Sequence, residues 1–522
     1  MQFLPVGPRT LLVELADLDE TLALFDALNA TPVPGVVEII PAARTLMVRT
    51  APGVAADGQL AAAILAAAPA PGTQRITGTV ETIDLPMVYD GEDLDDVARH
   101  LGLSTAEVIA AHQAATWQVG FCGFAPGFAY MTSDDPRFDL PRRSAPRTRI
   151  PAGSVALASR FCGVYPQDTP GGWQLIGTTP VPMWDMRRDP PAALRPGMRV
   201  RFHAIQASDI HPVAALPKVE KPVHDPALTL LASAFPVLFQ DEGRQGQGGQ
   251  GVSASGALDL GAMRRANRAV GNPSDAAVLE LTLGPVRLRA ESAVTLALAG
   301  AVKARVAGHP VTPGQAFAMD QGDELLIEPP EAGMRSCLAL RGGWQVDPVL
   351  GACATDTLAF VGPDAVTPGT LLGRAGLTTV AAGDIAIEPA LPAAGDLIEL
   401  PVTMGPRADW FTDEMIAHFL TQEWLVTPQS SRVGIRLQGD VPLSRPDARE
   451  LPSEGTETGA IQIPHSGQPV LFLADHPLTG GYPVIATLLP AALDLAGQLP
   501  PGARIRFTTT APFAAITPAR TA

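Results

Sequence analysis

Lysine is nearly absent from this chain. In 522 residues there are only Lys218, Lys221 and Lys303, followed by Val, Pro and Ala. A G-x-x-x-x-G-K-[ST] phosphate loop needs a lysine followed by Ser or Thr, so it is excluded. No Met-Lys-Met site exists either, so biotin is not attached to this chain in the usual way. There is no G-x-S-x-G nucleophile elbow and no H-E-x-x-H helix. Basic charge is short overall. Lys and Arg number 37 against 53 Asp and Glu, a net −16 that argues against a nucleic-acid surface. The four cysteines show no C-x-x-C spacing, so they read as buried thiols and no metal site is predicted. The N-terminus has no basic region leading into an apolar run. No apolar stretch is long enough to span a bilayer, Leu60–Pro69 being too short. The expected compartment is the cytoplasm, without a membrane partner.

Turn formers are plentiful: 50 Gly and 52 Pro lie along the whole chain. They predict short strands joined by frequent turns. At ~100–200 residues per domain the length predicts three or four domains. Strands are expected at Leu11–Glu14 and Thr45–Arg49, and helices at Asp17–Ala30, Leu94–Leu101 and Ser104–Ala115. Ser104 followed by Glu107 has capping-box spacing. A small α+β subdomain (1–80) then precedes a β-rich unit (81–206). Residues 207–227 hold four prolines and two of the three lysines and read as a linker. The remainder, 228–522, is mostly short strands with one good helix, Asp409–Leu420. Regularly spaced strands suggest closed barrels.

The two halves end alike. Ile150-Pro151 precedes the strand SVALA, Gly171-Gly172-Trp173 follows, and PGMRVRF closes. Ile463-Pro464 precedes PVLFLA, Gly480-Gly481-Tyr482 follows, and PGARIRF closes. Three matches in one order predict duplication of one barrel type. A Gly-Gly-aromatic turn lets a ligand approach the backbone closely.

Longer blocks carry a family resemblance. Phe121-Cys122-Gly123-Phe124-Ala125-Pro126-Gly127-Phe128-Ala129-Tyr130 resembles the signature of the B component of 5-oxoprolinase (Kip inhibitor-like). Phe239-Gln240-Asp241-Glu242-Gly243-Arg244, Ser255-Gly256-Ala257-Leu258-Asp259 and Pro428-Gln429-Ser430-Ser431-Arg432 are similar to its C component. The C-type family is also called allophanate hydrolase subunit 2-like, or the carboxyltransferase domain of urea amidolyases. Two positions depart from its pattern: Glu242, more often small or apolar, and Gln247-Gly248-Gly249-Gln250, where an aromatic or His is expected. The resemblance implies a mainly β fold of two tandem cyclophilin-like barrels.

Family activities act on a small planar amide, 5-oxoproline or urea. They need donors for a developing oxyanion, a cation for an anionic group, and a base. In the second half, the Gly480 and Gly481 amides, with Tyr482 beside them, are candidate oxyanion donors. Arg432 and Arg244 are candidate clamps, and His465 with Asp475 a candidate base and orienter. Gln429, Gln462 and Gln468, with Ser430 and Ser466, are placed to read an amide edge. The matching set in the first half is Arg147, Arg149, Ser154, Gly171, Gly172 and Trp173, with Phe124 and Phe128 as pocket walls. One composite site where the two barrels meet is the expectation.

The leading expectation is a fused part of an ATP-dependent 5-oxoprolinase, inactive without a separate A component of that enzyme. ATP, with Mg, would act in the partnered complex. The alternatives are a carboxyltransferase served by a biotin carboxylase and carrier, and a regulatory binder of a sensor histidine kinase.

Overall fold

The computed structural model describes residues 1–70, 81–143, 145, 147–209, 222–447, 449 and 451–520. Residues 210–221 of the expected linker lie outside the described residues.

The first unit is a four-stranded antiparallel sheet in the order Gln2–Gly7, Thr10–Glu14, Thr45–Thr50, Val36–Pro41. Helices Leu18–Ala30 and Gly58–Ala67 begin on Asp17 and Asp57, whose carboxylates accept first-turn amides. Strand alternation splits the apolar residues between two faces. Leu11, Val13, Leu46 and Val48 meet Leu24, Leu28, Leu60 and Ile64 of the helices. Leu4, Val6, Leu12, Ile40 and Met47 face the other way and close on Leu478 of the second half. The N-terminal sheet is therefore glued to the C-terminal half.

Next comes a seven-stranded sheet. Its order is Gln174–Thr178, Ser154–Ala158, Phe161–Val164, Ala129–Thr132, Trp117–Cys122, Arg199–Ala204, Thr82–Met87. A bridge between Val88 and Thr178 joins its edges. Leu85, Val119, Met131, Val155, Leu157 and Val200 fill the interior. The intervening residues Phe121, Tyr130, Ala156 and Leu175 turn outward into a second cluster with Phe128, Tyr165 and Trp173. Helices Leu94–Leu101 and Thr105–Ala114 cover this barrel, the second with the full Ser104/Glu107 capping box.

A closed barrel recurs in the second half, in the order Leu397–Met404, Val484–Leu488, Ala460–Gln462, Val470–Phe472, Gly434–Gln438, Trp424–Val426, Arg504–Thr508. Read from matching strands, the two orders are the same. In both, the first and last strands pair in parallel. In both, a two-stranded ribbon carries the Gly-Gly turn: Arg147–Ile150 with Thr169–Gly171, and Glu454–Gly455 with Thr479–Gly480. Interior details repeat too. Trp117 Nε1 donates to His112 O at 3.3 Å, and Trp424 Nε1 to Phe419 O at 3.0 Å. His112 lies 4.6 Å from Phe202, and Phe419 lies 4.6 Å from Phe507. Duplication is thus visible in topology. One sequence match is out of step: Ile463-Pro464 follows the strand equivalent to Ser154–Ala158, whereas Ile150-Pro151 precedes it.

Within 228–522 the closed barrel occupies only Leu397–Thr508. Before it stands a sandwich of a six-stranded and a five-stranded sheet, formed by strands between Pro226 and Gly373. Leu228, Leu230, Leu288 and Leu325 of one sheet meet Leu279, Leu281, Leu296 and Leu338 of the other. Helix Leu260–Val270 packs on the five-stranded sheet through Ala262, Met263, Ala266 and Val270. The helix expected at Asp409–Leu420 begins later, at Asp413, because the Thr412 hydroxyl accepts from Met415 N and caps it there. Beyond the last strand, residues 513–519 run back over the N-terminal unit. Ile516 N donates to Phe3 O at 2.8 Å, and Ala519 N to Gly58 O at 2.7 Å.

Candidate functional site

Three units converge on a cavity of about 190 Å³. The N-terminal sheet supplies Arg9, Glu38 and Arg49; the segment entering the sandwich supplies Glu242, Arg244 and Ser255; the second barrel supplies Glu457, His476 and Asp494. A chain of polar contacts ties the walls together. Glu38 accepts from Gly248 N at 3.0 Å and from Arg49 at 2.7 Å. Arg49 reaches Glu457 at 3.1 Å, and Glu457 accepts from the Thr10 hydroxyl at 2.8 Å.

Arg244 is the decisive group on this wall. It is 2% exposed, and no carboxylate lies within ion-pair distance of it among the described residues. Its Nη2 donates to Ala354 O, while its Nη1 is buried with no partner. Burial lowers its pKa, offset in part by the fields of Asp356, Asp241 and Asp475. An orphaned, charged donor costs free energy until something accepts from it. As a lining residue, Arg244 favours an anionic ligand group in the cavity.

Arg432 and Asp475 come together, but beneath the cavity. Arg432 Nε meets Asp475 at 3.0 Å, its Nη2 donates to Gly256 O at 2.7 Å, and its Nη1 pairs with Glu280. Asp475 also accepts from Ser255 Oγ at 2.7 Å and Thr357 N at 2.9 Å. Burial alone would raise the Asp475 pKa; the Arg432 charge and these hydrogen bonds outweigh it and hold it below the ordinary value. The pair fixes the turn that presents Ser255, which sits at φ 55°. These are positioning contacts, and neither side chain lines the cavity.

His465 does not join Asp475. It is exposed, 3.2 Å from Arg445 Nη2 and edge-on to Tyr482 at 5.5 Å. The histidine beside Asp475 is His476, which lines the cavity and was missed by sequence reasoning. Its Nδ1 faces Pro477 O at 2.9 Å, which selects the Nδ1–H tautomer. The adjacent Asp-His pair was the available signal.

The Gly-Gly turn of the second barrel gathers Gly480, Gly481, Tyr482 and Gln462. Gln462 Nε2 donates to Tyr482 O at 3.2 Å. Opposite Gly480 stands Glu454, held by Arg407 at 3.0 Å. Gln468 instead clasps the backbone of Gly439 through its amide (2.8 and 3.2 Å). Ser466 is exposed and accepts from Gln468 N, Ser430 anchors Thr427 and Arg436, and Gln429 is exposed.

In the first barrel Arg147 faces Gly171 across the ribbon. Its guanidinium is bound by Asp93 at 2.8 and 2.9 Å and Glu92 at 3.0 Å. Asp93, also missed from sequence, takes Arg143 and Leu175 N as well. Arg149 pairs with Asp168. Gly172 O accepts from Arg143 N, and Ser154 is buried in its strand. Trp173 and Phe128 lie 5.4 Å apart in the outward aromatic cluster, with Phe124 half-exposed at its rim. Every first-half cation of the expected set is therefore already neutralised.

The barrels do touch. A Cβ on Gly123 would collide with the Thr479 side chain, and the Tyr130 hydroxyl bonds Ser453. Gln250 accepts from Gly127 N at 2.9 Å and, through Oε1, from Ala192 N at 3.2 Å. The Gln247–Gln250 stretch, off the family pattern, is thus a clasp between halves. Among the described residues no group of three or more His, Cys, Asp and Glu is placed to hold a metal, and no helix is long and apolar enough to cross a membrane.

Comparison with known proteins follows the same division. The carboxyltransferase domain model for subdomains C and D matches residues 1–194, and that for subdomains A and B matches 250–509. The chain belongs to the carboxyltransferase-domain family. It joins a half of the 5-oxoprolinase B type to a half of the C type. It is 36% identical to the 5-oxoprolinase C component of Escherichia coli (strain K12), over 54% of this chain and 90% of that one. It is 48% identical to the B component of Escherichia coli O157:H7, over 23% of this chain and 56% of that one. Urea amidolyase of Lachancea kluyveri is 31% identical over 52% of this chain but only 16% of its own length. The crystal structure of TTHA0988 superposes with a TM-score of 0.84 at 33% identity, covering 96% of this chain and 99% of that one. The B/C fusion and its two tandem barrels therefore have a full-length structural counterpart.

Proposed function

We propose that the chain is the fused B/C part of an ATP-dependent 5-oxoprolinase, opening the lactam of 5-oxoproline to glutamate with a separate A component. The observation that carries this reading is that the two halves resemble the C and B components of one enzyme, 5-oxoprolinase, while Arg244, a cation with no carboxylate partner among the described residues, lines the cavity between units. 5-Oxoproline offers that cation a carboxylate, a stronger acceptor than the neutral carbonyl oxygen that urea offers. A cavity of about 190 Å³ suits a single small ring and falls short of the ~300–1,000 Å³ of drug-sized ligand pockets. ATP, with its Mg, therefore acts at another surface of the assembled complex. In this reading Arg244 orients the substrate, the Arg432–Asp475 pair beneath the cavity holds its wall, and His476, whose Nδ1–H is taken by Pro477 O, keeps Nε2 as its accepting nitrogen. The C and B relatives from Escherichia coli, both named as parts of 5-oxoprolinase, support the same choice.

A second reading is a carboxyltransferase acting on urea or a related amide, with carboxybiotin delivered by a partner carrier. The carboxyltransferase family models and the urea amidolyase relatives favour it. One experiment separates the two. The purified chain alone should release no glutamate, and with the A component and ATP it should release glutamate from 5-oxoproline. Failure with every cognate A component, together with carboxylation of urea in the presence of biotin carboxylase and carrier, overturns the first reading in favour of the second.

A further inference from the structure

We infer that Ser255 reads the N–H of the substrate's amide: its oxygen accepts that hydrogen bond on the cavity wall, so the pocket selects a lactam over a ring without an N–H. This rests on the 5-oxoprolinase reading and names the group that recognises its lactam. The neighbours of the hydroxyl decide its role. A serine hydroxyl has one proton to donate and two lone pairs to accept with. Ser255 Oγ has Asp475 Oδ1 at 2.7 Å and Thr355 O at 3.4 Å. Both neighbours are acceptors. Asp475 is itself surrounded by donors, which hold it ionised: Arg432 Nε at 3.0 Å, Arg432 Nη2 at 3.1 Å, Thr357 N at 2.9 Å and Thr357 Oγ1 at 2.7 Å. An ionised carboxylate has no proton to give back. The Ser255 proton is therefore spent inward, and its oxygen has only acceptor capacity left for a ligand. An N–H on the ligand completes that bond. An ester oxygen in its place meets it lone pair to lone pair.

Position and strain support the same role. Arg432 and Asp475 do not line the cavity, whereas Ser255 does and is only partly buried. Ser255 sits in the left-handed region at φ 55°, which a residue with a β-carbon rarely adopts. The backbone is pinned on both sides to keep it there. Arg244 N donates to Ala254 O at 2.8 Å, Arg432 Nη2 to Gly256 O at 2.7 Å, and Ala257 N to Asp241 O at 2.9 Å. Glycine would take this conformation without strain. A serine held there at a cost, and over-determined by its surroundings, points to a use for its hydroxyl. The carboxylates of the lining are engaged elsewhere: Glu38 and Glu457 with Arg49, Glu242 with Arg264, and Asp494 with the amides of Leu260 and Gly261.

Isothermal titration calorimetry on the full chain tests this with two probes, 5-oxoproline and the lactone carboxylate in which a ring oxygen replaces the N–H. The two share ring size, carbonyl and carboxylate. 5-Oxoproline should bind at least ~10-fold more tightly, as expected when a site built for an N–H is offered a ligand without one. Ser255→Ala should bring 5-oxoproline to the lactone level and leave the lactone unchanged. Ser255→Gly, which takes φ 55° without strain, should do the same and keeps the test open if the alanine variant fails to fold. Equal binding of the two probes by the parent chain, no binding of either, discrimination that survives both substitutions, or loss of both probes together in both variants overturns the inference. In those cases, turnover of 5-oxoproline with the A component and ATP leaves the proposed function standing. Absence of turnover with every cognate A component removes that function, and the inference with it.

Discussion

Asp356 and Asp475 are two buried carboxylates in one field, and only Asp475 has an arginine. Burial and the Asp475 charge push Asp356 up to about 6, from an ordinary 3.8. The folded state thus favours its protonated form. The associated stability is complete below the ordinary value and is lost as pH rises through about 6. Asparagine keeps every contact: its oxygen accepts from Leu358 N and Ala359 N, and its amide donates to Ser253. Asp356→Asn should raise Tm at pH 7–8 and flatten its fall between pH 4 and 6, as read by thermal melts across that range. An unchanged slope would mean that Asp356 does not carry the proton. Arg432 gives the opposite lesson. Replacing it with Gln strands Asp475 and Glu280 in the interior, at a cost of about 3–5 kcal/mol in chemical denaturation. A Gln variant of normal stability but no turnover would contradict its positioning role.

Element by element, the repeat makes its own test. His112 holds in the first barrel the place that Phe419 holds in the second. Burial pushes its pKa down to about 3, so it is neutral in the fold. Its stabilising contribution is present above the ordinary 6.5 and is lost as pH falls toward 3. Because His112 Nδ1 bonds the Tyr89 hydroxyl at 2.8 Å, phenylalanine alone would orphan that hydroxyl. The double change His112→Phe with Tyr89→Phe puts into the first barrel the ring that Phe419 supplies in the second and should reduce acid unfolding below pH 6, followed by circular dichroism. Much of this level was legible in the chain. The capping box at Ser104 and Glu107 and the helix at Leu94–Leu101 were local signals, satisfied by residues three or four apart. Both Gly-Gly turns fell on equivalent ribbons. The Ile-Pro match misled, since a Pro after a strand marks any strand end. The sandwich before the second barrel was hidden because short strands with turns read alike in a sandwich and a barrel. Site roles were least legible. Pairing of Arg147 with Asp93 spans 54 positions and Arg432 with Glu280 spans 152, so sequence shows the cations without the carboxylates that occupy them.

For the whole molecule, the junction between halves governs the cavity. Gly123 presses on Thr479, and Gln250 clasps the first barrel. Gly123→Val should force the barrels apart without emptying either core. Small-angle scattering should show a larger radius and glutamate release with the A component should fall at least ~10-fold, while both barrels still melt cooperatively. The same geometry explains why three units are needed for one small pocket: Arg9, Arg244 and His476 belong to different units and meet only when all are docked.

The return of residues 513–519 over the N-terminal sheet carries a topological consequence. Because Ile516 is hydrogen-bonded to Phe3 and Ala519 to Gly58, the beginning and end of the described chain lie side by side. A short peptide joining residue 520 to residue 1, with new ends opened between the halves, would yield a circular permutant in which the C-type half is translated first. It should fold to the same barrels, bind the same ligands and melt within a few degrees of the original. The order of the two halves along the polypeptide is thus free to change, and their adjacency in space is not.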